Sequence, residues 1–155
     1  MAATKWQRRV ASADWDAVGA ELDDFGGALL PQLLTASEAA ELRSLYSEDG
    51  LFRATIEMGR YRFGEGEYRY FARPYPEPID ELKQALYPRL LPIAKDWWSK
   101  LGRATPWPDN LDDWLEMCHA AGQMRSTAIL LKYGRATGMR CIEICTETWF
   151  FHCKS

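Results

Sequence analysis

The sequence predicts an α+β fold built around one core, and three observations carry that prediction. Apolar residues recur at helical spacing through the first fifty residues and again between Ile79 and Ala121. Between Leu51 and Phe71 the period falls towards two. Near the end, Ile129-Leu130-Leu131 forms a short apolar run with no helical spacing, as a strand buried on both faces would. A chain of 155 residues is long enough for one domain and too short to expect two.

The elements follow in order. Trp15, Val18, Gly19 and Leu22 share a helical stripe, so Asp14 to Leu22 reads as a short amphipathic helix. Phe25-Gly26-Gly27-Ala28-Leu29-Leu30 reads as a glycine turn into a short apolar strand that Pro31 ends. Thr35-Ala-Ser-Glu38 has the spacing of a capping box, and the helix it opens carries Ala39, Leu42, Leu45 and Tyr46 before Gly50 closes it. Ile56, Met58, Tyr61 and Phe63 lead to Gly64-Glu-Gly66, and Tyr68, Tyr70 and Phe71 leave it, which predicts a pair of strands joined by a turn.

Pro74, Pro76 and Pro78 mark a stiff connector into a helical pattern from Ile79 to Leu101. Pro88 and Pro92 are expected to break or kink that pattern, since each removes an amide donor and crowds the preceding turn. Asn110 is placed to cap a helix running to about Ala121, which Gly122 ends. Ser126 to Tyr133 is the core strand.

Composition excludes several classes. Hydrophobic residues make up 47% and charged residues 26%, as in ordinary globular domains. A net charge of -3 leaves no basic footprint, so nucleic acid is not an expected partner. No apolar run approaches the roughly 18 residues that span a bilayer. Met1 to Arg9 is charged but has no apolar segment behind it, so no secretion signal is read and a cytoplasmic location is expected.

Four motifs invite chemistry and have plainer readings. Gly64-Glu-Gly66 lacks the third glycine and the Gly-Lys-Ser/Thr ending of a phosphate loop, and reads as a turn. Cys118-His119 are neighbours on a helix and so point to different faces, which is unfavourable for a nucleophile–base dyad. Arg60, Arg62, Arg69 and Arg73 interleave with Tyr61, Tyr68, Tyr70 and Tyr75 as in a single-strand nucleic-acid platform, but cross-strand aromatic pairing is simpler. Cys141-x3-Cys145 with His152 and Cys153 offers zinc-type ligands, but it lacks a Cys-x2-Cys knuckle.

Four segments carry a resemblance between Leu29 and Gly134: Phe63-Gly-Glu-Gly-Glu-Tyr-Arg-Tyr-Phe71, Ala85-Leu-Tyr-Pro-Arg-Leu-Leu-Pro-Ile-Ala94, Cys118-His-Ala-Ala-Gly-Gln123 and Leu130-Leu-Lys-Tyr-Gly134. In order and spacing they resemble a bacterial branch of the prolyl-hydroxylase-like 2-oxoglutarate/Fe(II) oxygenases. The resemblance implies a double-stranded β-helix of the jelly-roll or cupin kind, flanked by helices. It also implies Fe(II) and 2-oxoglutarate as cofactors, a small-molecule or protein substrate such as a prolyl side chain, and Tyr133 near the 2-oxoglutarate pocket. The family continues from Tyr-Gly into Pro-Gly and then His-x-Asp. Two residues apart on a strand share a face, so that imidazole and carboxylate converge on one iron and, with a distal histidine, leave positions open for cosubstrate and oxygen.

This chain departs from that pattern after Gly134. Back-translated with CG-type arginine codons and read one base earlier, residues 135–155 permit Pro-Gly-Asn-Trp-Asn-Ala-Leu-His-Arg-Asp-Leu-Tyr-Gly-Asp-Leu-Val-Phe-Pro-Leu-Gln-Val. Met139-Arg140 forces the Ala, Trp149-Phe150 the Val and His152-Cys153 the Leu. His-Arg-Asp then falls at the positions of Ile142, Glu143 and Ile144. A single-base change of frame at about codon 134 is therefore expected, with 1–134 the front portion of an oxygenase domain and 135–155 an out-of-frame tail lacking reliable structure.

On this reading the chain holds the helical flank and the first strand or two of a truncated β-helix. It is expected to bind neither cofactor, to be catalytically inactive, and to self-associate through its unpaired strand edge. The alternative is a small non-catalytic binding module whose Cys/His tail binds zinc.

Overall fold

In a computed structural model the described residues are 3–61, 66–125, 128–133 and 142–145. In chain order the elements are α1 (Lys5–Ala11), α2 (Trp15–Phe25), α3 (Ala36–Ser44), β1 (Phe52–Glu57), β2 (Gly66–Phe71), α4 (Glu77–Lys100), α5 (Leu111–Ala120), β3 (Ile129–Tyr133) and β4 (Ile142–Cys145). Short 3-10 turns occupy Leu45–Ser47, Asp49–Leu51 and Met58–Tyr61. The α+β class stands, with helices beside an open, wholly antiparallel sheet in the order β1-β2-β3-β4. No helix among the described residues is long and apolar enough to cross a membrane.

The chain divides into two compact units. Met1–Thr35 and Glu77–Met124 form one, and Ala36–Pro76 and Arg125–Ser155 form the other.

The first unit is helical. The sequence reading missed α1, although its signal is plain: Thr4 Oγ1 accepts from the Gln7 amide and Gln7 Oε1 accepts from the Thr4 amide, a reciprocal cap. Trp6 and Val10 on α1 are buried, and α1 packs against α4, where Ile79 is buried in turn. Asp14 caps α2 by accepting from the Ala17 amide, and Gly26 closes that helix in the left-handed conformation at φ 71°. The strand expected at residues 25–30 does not form. Phe25 and Leu29 are exposed (81% and 75%), so the run has no surface to bury against.

Of the break or kink expected at Pro88 and Pro92, the break does not occur, because α4 runs unbroken through both. Pro88 frees the Gln84 carbonyl and Pro92 frees the Pro88 carbonyl. Both prolines are exposed and stand four residues apart on one face, so water can take the carbonyls they orphan. The opposite face is apolar, and burial of Leu82, Leu86, Leu90 and Leu91 holds the helix together. Tyr87, Leu91 and Leu111 form a small core with Trp107, Trp114 and Leu115 packed against it. The Tyr87 hydroxyl donates to the Pro108 carbonyl at 2.8 Å, and Asn110 caps α5 by accepting from the Asp113 amide at 2.9 Å.

The second unit is the sheet with α3. The helix starts at Ala36, directly after Thr35, but tightens to 3-10 turns after Ser44 instead of continuing to Gly50. β1 stops at Glu57, short of the strand expected through Phe63. β1 and β2 pair antiparallel as predicted, with an irregularity between Phe52 and Ala54. β3 begins at Ile129 rather than Ser126. It is not buried evenly on both faces, since Leu130 is fully buried while Ile129 and Leu131 are half-buried and Lys132 is exposed. Nor does it lack partners, since β2 and β4 flank it.

Arg69, in the middle of β2, ties this unit together. Its side chain is only 14% exposed. Its Nη1 donates to the Tyr46 carbonyl at 2.7 Å, its Nη2 to Asp49 Oδ1 at 2.7 Å and its Nε to Thr55 Oγ1 at 3.1 Å. The guanidinium lies 4.3 Å from the Phe52 ring centroid and 5.4 Å from that of Tyr46. Asp49 is almost fully exposed, so the charge pair itself contributes little, and the value lies in the covered carbonyl and the stacked rings.

Two outcomes follow. Pro88→Ala restores one helical hydrogen bond, so it should stabilise the protein by roughly 1–3 kcal/mol, read as a raised midpoint in thermal melts by circular dichroism. A lowered midpoint would mean the proline ring makes packing contacts that outweigh the lost bond. Arg69→Ala should cost roughly 2–4 kcal/mol in urea unfolding, with Arg69→Lys recovering little because an ammonium neither forks nor stacks. An unchanged urea midpoint for the alanine variant would remove Arg69 from this role.

Candidate functional site

The sheet presents two unlike faces. In antiparallel pairing, residues directly opposite one another share a face. Tyr70, Tyr68 and Gly66 pair with Ile129, Leu131 and Tyr133 across β3, and Tyr70 and Tyr68 pair with Ala54 and Ile56 across β1. Arg69 and Glu67 pair with Leu130 and Lys132, which in turn pair with Ile144 and Ile142 on β4.

On the second of these faces Phe71 and Leu130 are completely buried, and Phe52 stacks on Phe71 with centroids 4.8 Å apart. Towards its other end the face is polar. Lys132 Nζ lies 3.5 Å from Glu67 Oε1 and 5.0 Å from the Tyr46 ring centroid. The Tyr46 hydroxyl is buried and meets no partner in hydrogen-bonding geometry, although Glu67 is near enough to act on it. Burial pushes this phenol well above its ordinary value, the Glu67 carboxylate adds to the rise, and the Arg69 guanidinium opposes it. Tyr46 therefore stays a neutral donor. Tyr46, Glu67 and Lys132 were not singled out in the sequence; the alternation of Glu67 with Arg69 between tyrosines was the available signal.

The candidates named from sequence are placed as follows. Tyr133 pairs through its backbone with Gly66 at the end of β3, and its side chain lies outside the described residues. Gly64 and Glu65, Cys141, His152 and Cys153 also lie outside them, so the turn and the zinc reading receive no test here. Cys118 and His119 are half-buried neighbours on α5, as expected of a structural helix position. The tyrosines of the arginine–tyrosine run meet along one strand where cross-strand pairing was expected: Tyr68 meets Tyr70 edge-on at 5.5 Å on β2 itself, while Arg53 of β1 stacks over Tyr70 at 4.3 Å.

The residues present do not fit an iron of the two-histidine, one-carboxylate kind. The chain has two histidines, His119 and His152, and neither is followed two positions later by Asp or Glu. Among the described residues no group of three or more His, Cys, Asp or Glu could hold a metal ion. Positions 142 and 144 have the spacing that puts two residues on one face of a strand, but both are isoleucine, opposite Lys132 and Leu130 in the register.

Comparison with known proteins supplies the identity. Two curated relatives, both uncharacterized proteins of Mycobacterium tuberculosis (strains CDC 1551 / Oshkosh and ATCC 25618 / H37Rv), are each 54% identical over 99 residues. That match covers 64% of this chain and 40% of each relative, so the chain spans less than half the length of the relatives it matches. No solved structure matches it significantly. A family described as "Oxygenase, catalysing oxidative methylation of damaged DNA" matches residues 66–144, which is β2 through most of β4 and extends ten residues past Gly134. That match spans just over half of the chain, and the protein therefore belongs to the Oxygenase-NA family.

Proposed function

We propose that the intact protein is a 2-oxoglutarate/Fe(II)-dependent oxygenase, and that the chain as it stands does not turn over. Membership of an oxygenase family supports the first half. The observation that carries the second is the strand Ile142–Cys145: the family resemblance calls for His-x-Asp here, and the chain supplies Ile142-Glu143-Ile144. The other frame permits His-Arg-Asp at those same three positions, so a changed frame near codon 134 accounts for both the oxygenase likeness and the missing ligands. Tyr133, on the strand leading to that segment, is the residue of this chain assigned to the 2-oxoglutarate pocket.

The substrate class follows the description of the matched family, a lesion in DNA, in preference to a prolyl side chain. The net charge of -3 does not favour a polyanion, so base contacts would carry more of the recognition than phosphate contacts. The site for such a substrate, like the iron, needs residues that this chain does not bring together.

The test is succinate release in the presence of Fe(II) and 2-oxoglutarate, with a methylated single-stranded oligonucleotide as substrate and a proline-containing peptide as comparison. The chain as it stands should release none above background, and the product of the gene with one base restored near codon 134 should release it with the oligonucleotide. Turnover by the unaltered chain would overturn the inactivity. Resequencing that leaves the frame as it is, with no His-x-Asp downstream, would overturn the frame reading.

A further inference from the structure

We draw no further inference here: the strongest candidate, the exposed apolar patch of Phe25, Trp97 and Leu101 where the ends of α2 and α4 meet, carries nothing because nothing in the structure shows what covers it.

Discussion

A guanidinium that has left water must find acceptors for its N–H groups, and the sheet unit is arranged around that requirement. Arg69 is held by a backbone carbonyl from the turn after α3, a carboxylate two residues before the next turn ends, and a hydroxyl on the neighbouring strand. These three anchors fix where the segment 45–51 crosses the end of β1, and the rings of Tyr46 and Phe52 close over the planar cation. The position of Phe52 then sets that of Phe71, which stacks on it and is wholly buried. One arginine thus fixes the end of the sheet at which Phe52 covers the buried Phe71.

Much of the second unit was legible in the sequence. The alternation Tyr68-Arg69-Tyr70-Phe71 is a strand signal, and it correctly gave β2 and its antiparallel partner. It did not reveal that the Arg69 side chain is mostly covered, because a single arginine in a strand is usually a solvated one. In the helical unit, Asn110 and Asp14 were readable as caps because one side chain and one amide suffice to make them. Thr4 and Gln7 had the same signature and were overlooked for lack of an apolar stripe after them. The prolines of α4 were misread for a different reason. The penalty of an interior proline was weighed correctly, but not the burial on the opposite face, which a sequence shows only once the helix is known to be packed.

The candidate site was legible only as a gap. The resemblance led to an expectation of His-x-Asp where β4 reads Ile142-Glu143-Ile144, and comparison places the chain in an oxygenase family. Neither could supply the register, and the register sets positions 142 and 144 opposite Lys132 and Leu130. A pocket that includes Tyr133 would belong on the other side, because residue 133 has the opposite parity from residues 130 and 132 on β3.

The parity conflict has a physical resolution. A one-residue slip moves every side chain of a strand to the opposite face, and register is specified by the turn leading into the strand and by the hydrophobic pattern it carries. On the proposed reading both are encoded after Gly134, where the two frames would differ. The sequence Ile-Glu-Ile-Cys alternates apolar with charged residues and is rich in strand-forming types, so it pairs with β3 on local preference alone. In that register positions 142 and 144 stand opposite Lys132 and Leu130. A segment reading His-Arg-Asp has no such preference for that register, since an imidazole and a carboxylate without metal or hydrogen-bond partners are costly to cover. On the proposed change of frame, β4 and its backbone pairing with β3 are what the sequence as it stands supplies, and the ligands are what it does not.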